Sequence, residues 1–212
     1  MARSFDAIIF DFDGVILDTR RIKTAAFMAL YREQGKEFMR RVALHHLAEG
    51  GISRYKKLPL YQEWAGLPTD DDTVERLARQ FSELVFGAVV EAPYIAGAEE
   101  LLDAVKWDYD LFICTGTPQA EIDRVVEARK LGPYFVEVAG SPRTKPLIIR
   151  DLVNTYDLNP QKTLFIGDAM TDYHSAREVG LPFVGVRNED TEFPEGTPLV
   201  SSLSELLPYF VD

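Results

Sequence analysis

Short runs of apolar residues recur along the chain, each of strand length and bounded by polar or turn-forming residues. The runs lie at 7–10, 111–114, 135–139, 163–167 and 183–186. Between them apolar residues recur at helical spacing, as at Leu101, Leu102 and Val105, and Gly180 stands where a helix would end. Strands that alternate with helices from residue 93 onward predict a parallel α/β sheet.

The first strand is separated from the others by the segment 18–92, which carries helical stripes such as Leu77, Phe81 and Leu84 and no strand pattern. We therefore predict an α/β fold with two parts. Residues 1–17 and 93–212 would form a Rossmann-like parallel sheet with helices on both faces. Residues 18–92 would form a small, inserted α-helical cap domain.

Composition limits the class of protein. With 212 residues and 46% hydrophobic content, the chain can bury one sizeable core and a smaller inserted domain. A single cysteine allows no internal disulfide, which suits a reducing compartment. The N-terminal residues contain no long apolar segment, so we expect neither a signal peptide nor a membrane span. These features predict a cytoplasmic protein without a membrane partner.

The charge is unevenly distributed. A net charge of -11 argues against a nucleic-acid partner. The segment 20–57, however, holds ten Lys or Arg and three acidic residues, so it carries +7 and the rest of the chain carries -18. This segment is either a solvated helix face or a set of cations that the cap offers to an anionic substrate. The sequence does not indicate an oligomeric state.

Polar residues follow the predicted strands, where sites form in open α/β sheets. They are Asp11 and Asp13, Thr115 to Thr117, Lys145, and Asp168 with Asp172. Carboxylates gathered at one edge repel each other unless a cation lies between them, and oxygen ligands favour Mg²⁺. A hydroxyl, an ammonium and backbone amides suit a phosphate group. The pattern predicts that one of the first two aspartates attacks phosphorus and that the other transfers the proton in the reaction.

Four of these stretches resemble, in order, the motifs of the haloacid dehalogenase superfamily: "DFDGV", "CTGT", "SPRTKP" and "GDAMTD". The resemblance spans the whole chain, because the helical insertion stands where this superfamily carries its cap domain. Each motif alone is short, but all four occur in order and each follows a predicted strand.

The resemblance implies a role for each matching residue. Asp11 would be the nucleophile and form an aspartyl phosphate. Asp13 would protonate the leaving alcohol and then deprotonate the attacking water. Thr115 and Lys145 would be further catalytic residues that hold the phosphoryl group, and Gly116 and Thr117 would bind the substrate. The Mg²⁺ ligands would be Asp11, Asp13 through its backbone carbonyl, Asp168 and Asp172.

Each of these residues also has an interpretation without a catalytic role. Asp11 and Asp13 could form a turn after a strand. Thr115 could terminate its strand, and Lys145 could be a surface lysine. Asp172 could cap the helix that follows it, a role that is compatible with metal binding.

A second, shorter resemblance concerns the cap. "GGISR" at 50–54 resembles the "GVSR" loop in the cap of sugar-phosphate mutases related to β-phosphoglucomutase. It implies that Arg54 contacts a distal phosphate or carboxylate of the substrate. Lys23 stands where those mutases carry a histidine on the first cap helix, a departure that weakens the mutase interpretation. Both residues are candidates for substrate binding.

Asp13 discriminates among the activities of the superfamily, because dehalogenases and phosphonatases lack an aspartate two residues after the nucleophile. We therefore expect an Mg²⁺-dependent phosphatase that acts on a small phosphorylated metabolite, similar to capped phosphoglycolate phosphatases. Two alternatives stay open. One is a sugar-phosphate mutase. The other is a non-catalytic, ligand-binding relic of the fold, which predicts loss of at least one motif residue, although all are present.

Overall fold

The computed structural model describes residues 5–210 and contains the parallel sheet that the alternating pattern predicts. Its strands are β1 (Ala7–Phe10), β2 (Asp110–Pro118), β3 (Glu137–Ser141), β4 (Thr163–Gly167), β5 (Phe183–Val186) and β6 (Leu199–Val200). In space they follow the order β3-β2-β1-β4-β5-β6, and all neighbouring strands are parallel. The predicted fold class is confirmed.

The strand boundaries differ from the prediction at three places. β2 continues to Pro118 instead of ending at residue 114, and its register against β3 shifts between Cys114 and Pro118. β3 begins two residues later than predicted, and the two-residue β6 has too short an apolar run to be recognised. An apolar run ends where the hydrophobic core ends, whereas backbone pairing continues into the polar edge of the sheet.

Helices cover both faces of the sheet. In chain order they are α1 (Arg20–Leu30), α2 (Lys36–Ala48), α3 (Arg54–Ala65), α4 (Asp71–Glu91), α5 (Ala98–Val105), α6 (Gln119–Ala128), α7 (Lys145–Thr155) and α8 (Met170–Val179). One hydrophobic cluster joins Ile8 of β1 to α5 and α6, and the other joins Ile9 to α7 and α8. Since neighbouring strand residues point to opposite faces, the continuous apolar run of β1 supplies both clusters.

The helices α1 to α4 lie between β1 and α5, in the segment where no strand was predicted. They pack around buried aromatic side chains, namely Phe27, Tyr31, Tyr61 and Phe81. α4 begins at Asp71, because the carboxylate of the preceding Asp70 accepts a hydrogen bond of 3.0 Å from the Thr73 amide. We call residues 20–91 the cap and the rest of the described chain the core.

The chain leaves and re-enters the core at neighbouring positions. The amide of Asp18 donates to the carbonyl of Pro93 at 2.9 Å, and the amide of Ile95 donates to the carbonyl of Ile16 at 3.0 Å. The division into two domains at residues 18 and 92 stays a prediction, and the ends of the predicted core, 1–4 and 211–212, lie outside the described residues.

Within residues 5–210, no helix combines the length and the apolar character that crossing a membrane requires.

Candidate active site

The sheet register brings the motif residues to one edge. Phe10, the last residue of β1, is level with Ile113 of β2 and Ile166 of β4. The next residue, Asp11, donates its backbone amide to the carbonyl of Ile166 at 2.9 Å. Because β1 lies between β2 and β4, the residues that follow these three positions meet at the same carboxyl edge.

Three carboxylates are buried together at this edge. Asp11, Asp168 and Asp172 can each supply one oxygen, and these oxygens lie within 4.8 Å of one another. Burial raises the pKa of Asp11 to about 7; the charge of Lys145 opposes this shift, and the charges of Asp172 and Asp13 add to it. Burial and the neighbouring carboxylates of Asp11 and Asp172 also raise the pKa of Asp168 well above its usual value. The cluster needs positive charge to ionise fully.

Lys145, the first residue of α7, supplies part of that charge. Its Nζ atom lies 2.9 Å from Asp11 Oδ1 and 2.5 Å from Asp172 Oδ1. Burial acts to lower the pKa of Lys145, but Asp11 and Asp172 outweigh it and the pKa is raised. The side chain is 5% exposed, so Lys145 is not a surface lysine. The nearby Arg143 is exposed and pairs with Asp151 at 2.9 Å.

The Asp13 side chain points away from the three carboxylates. It accepts hydrogen bonds from Lys23 Nζ at 2.5 Å, Thr19 Oγ1 at 2.6 Å and Thr117 Oγ1 at 2.8 Å. Burial acts to raise the pKa of Asp13, but the charge and the hydrogen bond of Lys23 outweigh it, and the pKa is lowered to about 2. Asp11 and Asp13 are therefore held in opposite electrostatic environments.

The turn after Asp13 depends on a glycine. Gly14 has a φ of +81°, and a Cβ atom there would collide with the Asp168 carboxylate and approach the Arg20 side chain. Arg20 in turn lies with its Nε atom 3.2 Å from Asp168 Oδ2 and its Nη2 atom 2.7 Å from Asp190. Sequence reasoning missed Arg20 as a site residue, although it stands five residues after Val15, the last residue of the first motif.

Thr115, Gly116 and Thr117 lie inside β2 and not after it. Thr115 is buried, and its hydroxyl accepts a hydrogen bond of 3.2 Å from the Thr117 amide. Since β2 continues to Pro118, Thr115 does not terminate its strand. Gly116 faces the cap, because a Cβ atom there would collide with the carbonyl of Gly51.

The cap is closed over this edge. The Thr171 hydroxyl of α8 donates to the carbonyl of Gly50 at 2.5 Å. Gly51 has a φ of +77°, and a Cβ atom there would collide with Thr171 Oγ1 and lie 2.9 Å from Lys145 Nζ. The glycines of the GGISR segment thus lie where the cap contacts the motif residues of the core.

A cavity lies between the cap and the carboxyl edge. Its charged and polar lining residues are Asp11, Asp13, Arg20, Lys23, His46, Arg54, Thr115, Thr117 and Asp168. Its apolar walls include Phe27 and Phe81. Of the ten cations in the basic segment, six are exposed, as on a solvated face, and three line the cavity. That the cap offers these three to an anionic substrate stays a prediction.

One cap residue at the cavity, His46, was not predicted to take part in it. His46 lines the cavity, and its Nδ1 atom lies 2.9 Å from Nζ of the buried Lys57. Burial, together with the charge of Lys57, lowers the pKa of His46 well below its usual value, so the imidazole is neutral. Burial also lowers the pKa of Lys57 to about 7, so the positive charge beside His46 is lost as the pH rises through neutrality.

Arg54 lines the cavity but is already paired. Its guanidinium holds both carboxylate oxygens of Glu121, the third residue of α6, with Nη1 lying 2.8 Å from Oε2. Sequence reasoning missed Glu121, because an acidic residue in the first turn of a helix is ordinarily a surface residue that complements the dipole.

The donor set fits a divalent cation. Carboxylate and carbonyl oxygens are the ligands of hard cations such as Mg²⁺. Among the described residues, Asp11 Oδ1 is buried without a hydrogen-bond partner, although Lys145 Nζ lies nearby. Asp11, Asp168 and Asp172 could hold such a cation, with the backbone carbonyl of Asp13 as the further predicted ligand.

Comparison with known proteins agrees with this geometry. The sequence model of the family described as haloacid dehalogenase-like hydrolase matches residues 8–186. A phosphoglycolate phosphatase from Pseudomonas putida is 24% identical over 222 residues, covering 97% of this chain and 79% of that protein. These matches support the predicted enzyme class, a haloacid dehalogenase-like phosphoric monoester hydrolase.

Solved structures show the same fold at low identity. A β-phosphoglucomutase from Clostridium difficile has a TM-score of 0.79 and 21% identity, covering 97% of each chain. CbbY from Rhodobacter sphaeroides, in complex with xylulose-(1,5)bisphosphate, has a TM-score of 0.78 and 18% identity, covering 97% of this chain and 99% of that one. On the family match over most of its length, the chain belongs to the haloacid dehalogenase-like hydrolase family.

Proposed function

We propose that this protein is an Mg²⁺-dependent phosphatase that hydrolyses a small phosphorylated metabolite through an aspartyl phosphate. One observation carries the proposal. Asp11 lies at the end of the central strand, with its buried Oδ1 atom 2.9 Å from the Lys145 ammonium and with two further buried carboxylates around it. A carboxylate held in this way can attack phosphorus, because cationic neighbours offset its repulsion of a phosphate.

The residues around Asp11 would divide the remaining tasks. Lys145 and the Thr115 hydroxyl would bind the phosphoryl oxygens. Asp168, Asp172 and the Asp13 carbonyl would hold Mg²⁺ with Asp11. When bound, the cation would neutralise the carboxylates and the phosphate oxygens. This division follows the roles that the four sequence motifs imply.

Asp13 would act as the general acid and the general base. Its pKa of about 2 keeps it ionised, the form that would accept a proton from the water that hydrolyses the aspartyl phosphate, although so low a pKa makes it a weak base. Donation to the leaving alcohol oxygen in the first step needs the protonated form, which the 2.5 Å contact with Lys23 disfavours. The balance between the two steps would therefore depend on how closely Lys23 approaches Asp13.

The closed cap supports a small substrate. The cavity volume is about 70 Å³, and one water needs roughly 10–15 Å³ on that measure. A substrate of a few carbon atoms fits this space better than a large one. Phosphoglycolate, the substrate named for the curated relatives, is of this size class.

Phosphate release from a panel of esters tests the proposal. The panel would contain phosphoglycolate, hexose phosphates and xylulose 1,5-bisphosphate, each with Mg²⁺ and with EDTA. Metal-dependent release of inorganic phosphate from at least one of them is expected. Conversion of a hexose phosphate to its isomer without net phosphate release would identify a mutase instead, and absence of both reactions would leave a binding protein.

A further inference from the structure

The contact between Arg54 and Glu121 joins the cap to the core. Arg54 begins α3 in the cap, whereas Glu121 lies in α6 beside the sheet. The Ser82 hydroxyl of α4 donates to Glu121 Oε2 at 2.5 Å, so two cap helices bind the same carboxylate. The pair therefore ties the cap to the core in the closed arrangement.

The guanidinium of Arg54 has little capacity left for a ligand. Besides Glu121, its Nη1 atom donates to Ser82 Oγ at 2.7 Å. Its Cζ atom lies 4.3 Å from the centre of the Phe81 ring, which covers one face. Both charged side chains are buried, at 4% and 7% exposure for Arg54 and Glu121. A forked ion pair of this kind is the strong form of a charged hydrogen bond.

Glu121 carries a full charge in this contact. Burial acts to raise the pKa of Glu121, but the hydrogen bond and charge of Arg54 outweigh it, and the pKa is lowered. A ligand phosphate that approached Arg54 would therefore have to displace a carboxylate and leave it buried without its partner. Loss of one partner from a buried pair is strongly unfavourable.

The other cations of the cavity are paired as well. Arg20 binds Asp168 and Asp190, and Lys23 binds Asp13. Together with Arg54, these are the Lys and Arg side chains among the described residues that line the cavity. A second phosphate on a substrate would thus find no unpaired Lys or Arg at this end of the site.

We propose that Glu121 is a specificity-determining residue. Its carboxylate binds the Arg54 guanidinium and so restricts the enzyme to phosphomonoesters whose distal end carries no second phosphate. The proposal rests on the proposed phosphatase function and names its substrate class. It changes the role expected for Arg54, which binds Glu121 instead of a distal phosphate of the substrate. The neutral His46, which also lines the cavity, remains available to hydrogen-bond an uncharged or carboxylate end.

The wild-type enzyme gives the first test. Its kcat/KM for phosphoglycolate should exceed that for xylulose 1,5-bisphosphate by at least about tenfold, the ratio that corresponds to one charged hydrogen bond. A wild-type preference for the bisphosphate would overturn the proposal without any variant.

Glu121→Gln gives the second test. The amide keeps the shape of the side chain but removes its charge, so Arg54 can turn to a distal phosphate. The ratio of kcat/KM values should shift toward the bisphosphate by at least about tenfold. Glu178→Gln is the matched control, because Glu178 forms an exposed pair with Arg150 at 2.6 Å and should leave the ratio unchanged.

A double variant shows whether the gain acts through Arg54. Arg54→Met added to Glu121→Gln should abolish the gain, since no cation would then be released. A gain that persists in the double variant contradicts the proposal, as does an unchanged ratio in a folded Glu121→Gln protein.

Binding of the bisphosphate separates this proposal from the proposed function. In an Asp11→Asn background, calorimetry with Mg²⁺ and xylulose 1,5-bisphosphate measures affinity without turnover. Tighter binding on adding Glu121→Gln supports the role of Glu121 even if the wild-type protein releases no phosphate. Equal affinity with and without Glu121→Gln overturns it even if the protein is a phosphatase.

Discussion

At the scale of single residues, the two aspartates of the first motif differ because of their neighbours. Asp11 shares its space with two carboxylates and has a pKa raised to about 7 by burial. Asp13 lies against the Lys23 ammonium, and its pKa is lowered to about 2 against the tendency of its burial. Environments that separate the pKa values of paired carboxylates are typical of sites where the two have different roles.

Replacement of the nucleophile tests the residue assignment. Asp11→Asn should lower phosphate release at least about a thousandfold, because an amide does not attack phosphorus. The fold should be retained, as judged by circular dichroism and thermal melting. Asp6→Asn is the matched control, since Asp6 is exposed just before the same strand. Near-normal activity of Asp11→Asn would show that another group is the nucleophile.

Removal of the Lys145 charge should affect stability as well as activity. In Lys145→Met, two buried carboxylates lose their ammonium, which should cost about 3 kcal/mol of unfolding free energy near neutral pH without metal. The loss should be smaller in acid, where Asp11 is protonated. Denaturant titration at both pH values measures this difference. Lys162→Met is the control, because Lys162 is 48% exposed and pairs with Asp6 at 3.3 Å; equal losses in the two variants would contradict the electrostatic explanation.

At the scale of elements, the strand boundaries at the edge of the sheet differ from those that the sequence pattern predicts. The apolar pattern places the end of the second strand at residue 114, but β2 runs on to Pro118. Periodicity reports which side chains face the core, and polar site residues interrupt that signal although their backbone stays paired. The end of one helix was placed closely, because the predicted stop, Gly180, caps α8 with a φ of +84°.

The contact between the cap loop and the core can be tested with two glycines. Gly51 and Gly66 both have positive φ, so alanine at either should cost about 1 kcal/mol of stability. Only at Gly51 would the new Cβ collide with Thr171 and approach Lys145; at Gly66 nothing lies within 4 Å.

We therefore expect Gly51→Ala to lower kcat/KM by about tenfold or more and Gly66→Ala to leave it nearly unchanged. Steady-state kinetics and thermal melts of both variants check this. Equal kinetics in the two variants would mean that the closed contact at Gly51 is not needed for turnover.

At the scale of the whole molecule, the buried carboxylates link stability to pH and metal. Asp11 has a pKa of about 7 in the metal-free fold against 3.8 as the reference value. Its proton therefore stabilises the fold fully below about pH 4, and this contribution is lost as the pH rises through about 7. Asp13, with a pKa of about 2, has the opposite effect in a lower window: its contribution is present above about pH 4 and is lost as the pH falls toward 2.

Mg²⁺ should accordingly stabilise the protein more in alkali than in acid, because the ion binds ionised carboxylates. Saturating Mg²⁺ should raise the Tm by roughly 5 °C near pH 8 and by much less near pH 5. Differential scanning fluorimetry across this range measures both shifts, and the dependence on pH should weaken in Asp11→Asn. An Mg²⁺ effect of the same size at both pH values would argue against the carboxylate cluster as the metal site.

By itself, the sequence determined the α/β class, the position of the helical insertion and the motif residues that meet at the sheet edge. These follow from local patterns, because strand length, helical spacing and the polar residue after an apolar run are all read within a few neighbouring positions.

Only the tertiary structure decided how the charges pair. Arg54 and Glu121 are 67 positions apart. In sequence each of these residues is typical of a solvated surface, and nothing local indicates its partner. Their pairing depends on the docking of the cap over the core, which buries both charges and so makes a specific partner necessary.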